Sequence, residues 1–72
     1  EDYVKAEKFL KRAVELMPDD PIVNDHYGDI LWHLDRKIEA QYYWKSVLSF
    51  DDTEDKMKDE VYIKILKGLK KI

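Results

Sequence analysis

The chain has 72 residues, no cysteine, two Gly and two Pro, with 44% hydrophobic and 40% charged side chains and a net charge of −3. That length allows one small domain, and the missing cysteines exclude disulfide frameworks, thiolate metal sites and a thiol nucleophile. The apolar content is too high for obligate disorder, no run nears the roughly 18 apolar residues of a spanning helix, and so little Gly and Pro favours long regular elements.

Charge is uneven along the chain. Residues 1–52 carry 7 basic and 12 acidic side chains, and residues 53–72 carry 6 basic and 4 acidic. An acidic first two-thirds would repel phosphate, so nucleic-acid binding is not expected. The chain opens Glu1-Asp2 rather than with a basic and then an apolar region, and its first residue is not Met. We therefore expect no visible signal peptide and a piece cut from a longer protein. The unit should be soluble, cytoplasmic or periplasmic, with the compartment unreadable.

Val4, Ala6, Phe9, Leu10, Ala13, Val14, Leu16 and Met17 recur at three- and four-residue spacing, which predicts a first helix from about Asp2 to Met17. Met17-Pro18-Asp19-Asp20-Pro21 breaks it, because Pro disfavours helical geometry in the residue before it and lacks a backbone donor. Pro21 suits the first turn of a second helix with Asp20 as its cap. That helix turns Ile22, Val23, Tyr27, Ile30, Leu31 and Leu34 inward and ends near Asp35-Arg36-Lys37, a short link of the kind that joins antiparallel helices. Ile38, Ala40, Tyr43, Trp44, Val47, Leu48 and Phe50 mark a third helix, which Asp51-Asp52-Thr53 closes while offering capping oxygens to a fourth. The fourth should run from about Thr53 to Leu69, with Met57, Val61, Tyr62, Ile65, Leu66 and Leu69 on one face.

Sliding the chain against itself until Ala6 falls on Ala40 also pairs Phe9 with Tyr43, Leu10 with Trp44, Ala13 with Val47, Val14 with Leu48 and Leu16 with Phe50. An offset of about 34 residues is the period of one helix-turn-helix unit and points to stacked hairpins rather than a closed four-helix bundle. The same offset sets Tyr27 on Val61, Leu31 on Ile65 and Asp25 on Asp59, but Gly28 on Tyr62.

Residues 21–54 resemble a complete tetratricopeptide repeat (TPR): Asn24, Tyr27, Gly28 and Leu31 fall on W-x2-L-G-x2-Y, Ala40 and Trp44 on A-x3-F, and Asp52 stands where Pro is usual. Ala6, Leu10, Ala13 and Pro18 match the second half of a preceding unit. The resemblance implies an all-α fold of antiparallel hairpins stacked as a TPR-type superhelix. In it, residues 1–17 are the second helix of a preceding repeat, 21–54 a full repeat and 53–72 a C-terminal capping helix. It also implies close packing of Gly28 against Ala40, with Tyr27, Leu31, Trp44, Val47 and Leu10 filling the layers around them.

In TPR arrays the first helix of each unit lines a concave groove, which would place Ile22, Asp25, Asp29, Trp32 and His33 toward a ligand. Asp25 and Asp29 would repel a C-terminal carboxylate and favour basic or neutral peptides. Asp25, Asp29 and His33 have ligand-like helical spacing, but a tetrahedral zinc set is not assured and solvated polar side chains are the simpler account. Ser46 and Ser49 have no evident base, and there is no phosphate loop. Lys64, Lys67, Lys70 and Lys71 read as favourable charge at a helix C-terminus rather than as a contact for an acidic surface.

The sequence thus predicts a protein-interaction scaffold that binds a peptide or partner protein through its groove, with no enzymatic activity, cofactor, metal or membrane insertion. The alternative is a purely structural C-terminal cap whose parent recognises partners through upstream repeats. The apolar face of the first helix around Phe9, Ala13 and Met17 should also drive self-association.

Overall fold

The computed structural model describes residues 2–69. Among these are four helices, α1 (Tyr3–Leu16), α2 (Pro21–His33), α3 (Lys37–Ser49) and α4 (Asp55–Lys67), and no strand. Lys70 and Lys71, and the ends of the proposed first and last segments, lie outside the described residues.

Most helix ends have a local cause. The Asp2 carboxylate accepts the Lys5 backbone N–H at 3.0 Å, so Asp2 caps α1 rather than belonging to it. Asp20 does the same for Val23 at 3.0 Å, with Pro21 in the first turn of α2. At the other end of α2, Asp35 takes a left-handed conformation (φ 63°). Its N–H reaches Trp32 O at 3.0 Å, and the Arg36 N–H reaches Leu31 O at 2.9 Å. These two bonds form a Schellman motif, which satisfies carbonyls the helix would otherwise leave open.

Thr53 corrects half of one reading. Its buried hydroxyl donates to Val47 O at 2.8 Å, so it closes α3 as expected but does not cap α4. Glu54 precedes α4 in extended conformation without a side-chain cap, and α4 begins at Asp55 rather than at Thr53.

The period of the sequence is present in the helices themselves. α1 starts at Tyr3 and α3 at Lys37, while α2 spans Pro21–His33 and α4 spans Asp55–Lys67, so the second pair of helices repeats the first at one fixed offset. The main interfaces join consecutive helices, α1 on α2, α2 on α3 and α3 on α4, with α2 on α3 the most extensive. A closed bundle would pack α1 on α4 as well. Tyr3 at the start of α1 stacks on His33 at the end of α2, and Gln41 near the start of α3 donates to Ile65 O near the end of α4. Neighbouring helices are therefore antiparallel. Extents of 31 × 29 × 18 Å fit a slab two helices thick at interaxial distances of about 8–10 Å.

The core is Tyr27, Leu31, Ala40, Trp44, Val47 and Val61, flanked by Leu10, Val14, Leu48 and Ile65. At its centre α2 and α3 cross closely. A Cβ on Gly28 would come within 2.5 Å of the Trp44 indole and 3.2 Å of Ala40 O, so the crossing requires the absence of a side chain there. Trp44 is fully buried; at about 25 cal/mol/Å² over an aromatic burial of roughly 150–250 Å², it contributes about 4–6 kcal/mol before entropy is subtracted. Ala6, Leu10 and Ala13, the α1 counterparts of Ala40, Trp44 and Val47, are only partly buried.

Asn24 stands where the repeat pattern has Trp, yet only 2% of it is exposed. Its amide donates to Pro18 O at 3.0 Å and Asp20 O at 2.9 Å. It therefore ties the α1–α2 link to α2 by hydrogen bonds instead of by apolar bulk.

Candidate interaction face on the second and fourth helices

The five residues expected to line a groove, Ile22, Asp25, Asp29, Trp32 and His33, share one side of α2 but meet different neighbours. Ile22 is exposed at 57%. His33 stacks on Tyr3 with ring centroids 4.8 Å apart and planes within 5°. Trp32 tilts onto Trp44 at 5.4 Å and lies beneath the Lys37 ammonium, 4.9 Å from the ring centroid.

Trp32 also has a seat on α4. Gly68, the C-cap of α4, has φ 69° and ψ −170°, a region essentially restricted to glycine, and a Cβ there would overlap the Trp32 ring. The end of α4 thus packs flat on the last turn of α2.

Between them sits an ionic cluster that periodicity did not reveal. The Lys64 ammonium of α4 lies 2.8 Å from Asp25 Oδ1 and 3.0 and 3.1 Å from the two oxygens of Asp29. Asp29 Oδ1 also accepts the Trp44 indole N–H at 3.0 Å. The three charged side chains are 14–29% exposed, so none of them is a free surface charge.

One ammonium shared by two carboxylates sets their ionisation. Burial pushes the Asp29 carboxyl above its usual range and Asp25 adds to this, while Lys64 and the indole N–H oppose it. Burial pulls Lys64 down, but its hydrogen bonds to Asp25 and Asp29 outweigh that and hold the ammonium above its ordinary range. The two shifts differ in sense for the pair: Lys64 gains from it, and Asp29 does not recover its full desolvation cost. The Lys64 direction governs neutral pH, because two carboxylates hold its one ammonium.

A second polar contact joins α1 to α2. The Tyr27 hydroxyl donates to Glu7 Oε2 at 3.0 Å, and the Arg36 guanidinium lies 3.7 Å from the same oxygen. Burial, and then the Glu7 hydrogen bond, push the Tyr27 phenol far above its ordinary pKa.

Among the described residues no three His, Asp or Glu side chains converge as a metal would require. At Asp25 and Asp29 the Lys64 ammonium takes the position a cation would occupy. The Ser46 and Ser49 hydroxyls donate back to helix carbonyls, Tyr42 O at 3.0 Å and Ser46 O at 2.6 Å. No helix of the described residues is long and apolar enough to cross a membrane.

Sequence reasoning missed Lys64, which it assigned to the charge of the helix C-terminus. The signal available was two carboxylates one turn apart on α2, a helix with no Lys or Arg of its own. No family model, no curated protein and no solved structure matches the chain.

Proposed function

We propose that the chain is a non-catalytic protein-interaction scaffold of the tetratricopeptide-repeat type, which binds an extended peptide along the side of α2 next to α4. One observation carries the reading. The helices recur at one fixed offset with a glycine-dependent crossing at Gly28, and this sets α2 and α4, two helices of the same kind, side by side as one continuous surface. Ile22 and His33 remain exposed at its two ends.

The ligand preference follows from the charge there. Asp25 and Asp29 against Lys64 leave one net negative charge, so neutral and mildly basic peptides are favoured and affinity weakens as salt rises. Selection of phage-displayed random peptides on the immobilised chain tests this. Selected peptides should shift backbone amide resonances along α2 and lose most of their affinity on Ile22→Glu. Peptides whose shifts fall elsewhere, or no selected binder at all, would sink the reading.

The same cluster favours a second reading, that this segment only caps and solubilises a stack. Lys64 already occupies the carboxylates a basic ligand would use. Under that reading the selection returns no binder on α2.

A further inference from the structure

We propose that the two ends of this stack are complementary, so that α4 of one copy packs on α1 of the next and the chain assembles head to tail. The proposal goes beyond peptide binding and stands on the repeat register and on the exposed faces at the two ends.

By that register α1 is the counterpart of α3, and α4 of α2. α2 and α3 form the most extensive interface among the described residues, whereas α4 and α1 are the same two kinds of helix and among those residues have no partner helix on the corresponding faces. In the α2–α3 interface the Trp44 indole sits among Gly28, Asp29 and Trp32, and Asp29 accepts its N–H. One repeat further on, these three positions are Tyr62, Ile63 and Leu66, which are 54%, 55% and 63% exposed. The α1 counterpart of Trp44 is Leu10.

Each of these exchanges compensates the other. Trp to Leu removes volume, and Gly to Tyr restores it across the interface. Leucine has no N–H to satisfy, and Asp to Ile removes the acceptor that would otherwise be buried without a donor. The α4 face therefore suits the α1 face and not a second α3. Phe9 and Leu16 of α1 are 74% and 66% exposed, and the partly buried Ala6 and Ala13 are the counterparts of the buried Ala40 and Val47.

Charge disfavours α1 on α1, since α1 carries Lys5, Lys8, Lys11 and Arg12 against Glu7 and Glu15. α4 mixes both signs, with Asp55, Asp59 and Glu60 against Lys56, Lys58, Lys64 and Lys67, and repels α1 less than a second α1 would. Such a contact is heterologous and does not close on itself, so growth is open-ended.

Sedimentation equilibrium from micromolar to millimolar chain tests it, with Phe9→Asp to block the α1 face and Ile63→Asp to block the α4 face. Both side chains are exposed, so circular dichroism should show native helix content; Leu16→Asp and Leu66→Asp replace either variant that does not fold. The unmodified chain should gain mass with concentration without a plateau. Each variant alone should stay monomeric, and their equimolar mixture should rise to a plateau at two chains, because one intact face of each kind remains. A monomeric unmodified chain at millimolar concentration, a plateau at a closed dimer, or a mixture that stays monomeric would overturn the proposal.

Discussion

Replacing Lys64 by Met should destabilise the fold mainly through what it leaves behind. The substitution removes bonds of 2.8, 3.0 and 3.1 Å and keeps the aliphatic bulk, so Asp25 and Asp29 remain at 14% and 29% exposure without a counter-charge. Hydrogen bonds to charged groups contribute about 1.5–3 kcal/mol each, but these share one ammonium and do not add. The site is also less enclosed than a fully buried pair, for which the loss is about 3–5 kcal/mol. We expect a loss of about 2–3 kcal/mol at neutral pH. For a chain of this length that is a fall in Tm of roughly 10–20 °C, at about 4–8 °C per kcal/mol.

The pH dependence separates this account from simple loss of packing. In the unmodified chain Asp29 has a raised pKa, so folding holds its proton to higher pH, and this group alone lowers stability as pH rises from about 3.9. Without Lys64 that effect grows. The deficit of Lys64→Met should therefore shrink as acid protonates the carboxylates. Adding Asp25→Asn and Asp29→Asn should restore most of the stability, since an amide oxygen at position 29 still accepts the indole N–H. Thermal unfolding followed by circular dichroism at pH 4 and 7 reads both. An unchanged Tm at pH 7, or an equal deficit at both pH values, would refute the reasoning.

Gly28→Ala gains roughly 1 kcal/mol of helix propensity but drives a Cβ to 2.5 Å from the Trp44 indole. Overpacking should dominate and lower stability by about 1–3 kcal/mol in urea unfolding, and a stabilised variant would mean that the helices do not cross closely there. Asp35→Gly relieves a left-handed residue in the Schellman motif and should raise stability by about 0.5–1 kcal/mol, with a loss counting against that backbone geometry. At high pH, Lys64, Tyr27 and Tyr43 all have raised folded-state pKa values: Lys64 through its carboxylate partners against burial, and the two phenols first through burial. Their contribution is complete below the unfolded values of about 10.4 for Lys and 10 for Tyr and is lost as pH rises through the higher folded values. The urea midpoint should stay level to about pH 10 and then fall, and a fall beginning near neutrality would contradict these shifts.

The sequence alone determined the helices and their period. Pro18, Asp20 and Pro21 mark the first break through backbone rules that act within a few residues. Apolar spacing marks the inner faces only in part: Tyr27, Leu31, Trp44, Val47 and Val61 are buried, whereas Phe9, Leu16, Ile22, Ile38 and Leu66, expected on the same faces, are exposed. The self-match of Ala6, Leu10 and Ala13 with Ala40, Trp44 and Val47 also carried the register, because a crossing as close as Gly28 on Ala40 and Trp44 demands small and large residues in fixed places. The tertiary structure alone decided the polar contacts between helices and the seat of Trp32. Lys64 on α4 meets Asp25 and Asp29 on α2, Tyr27 on α2 meets Glu7 on α1, and Gly68 at the end of α4 receives Trp32 from the end of α2. A long cation such as Lys64 can serve equally as surface charge or as a buried counter-ion, and periodicity does not distinguish these roles. The choice depends on which side of α4 turns toward α2 when both pack on α3, around the shared core of Trp44, Val47 and Val61.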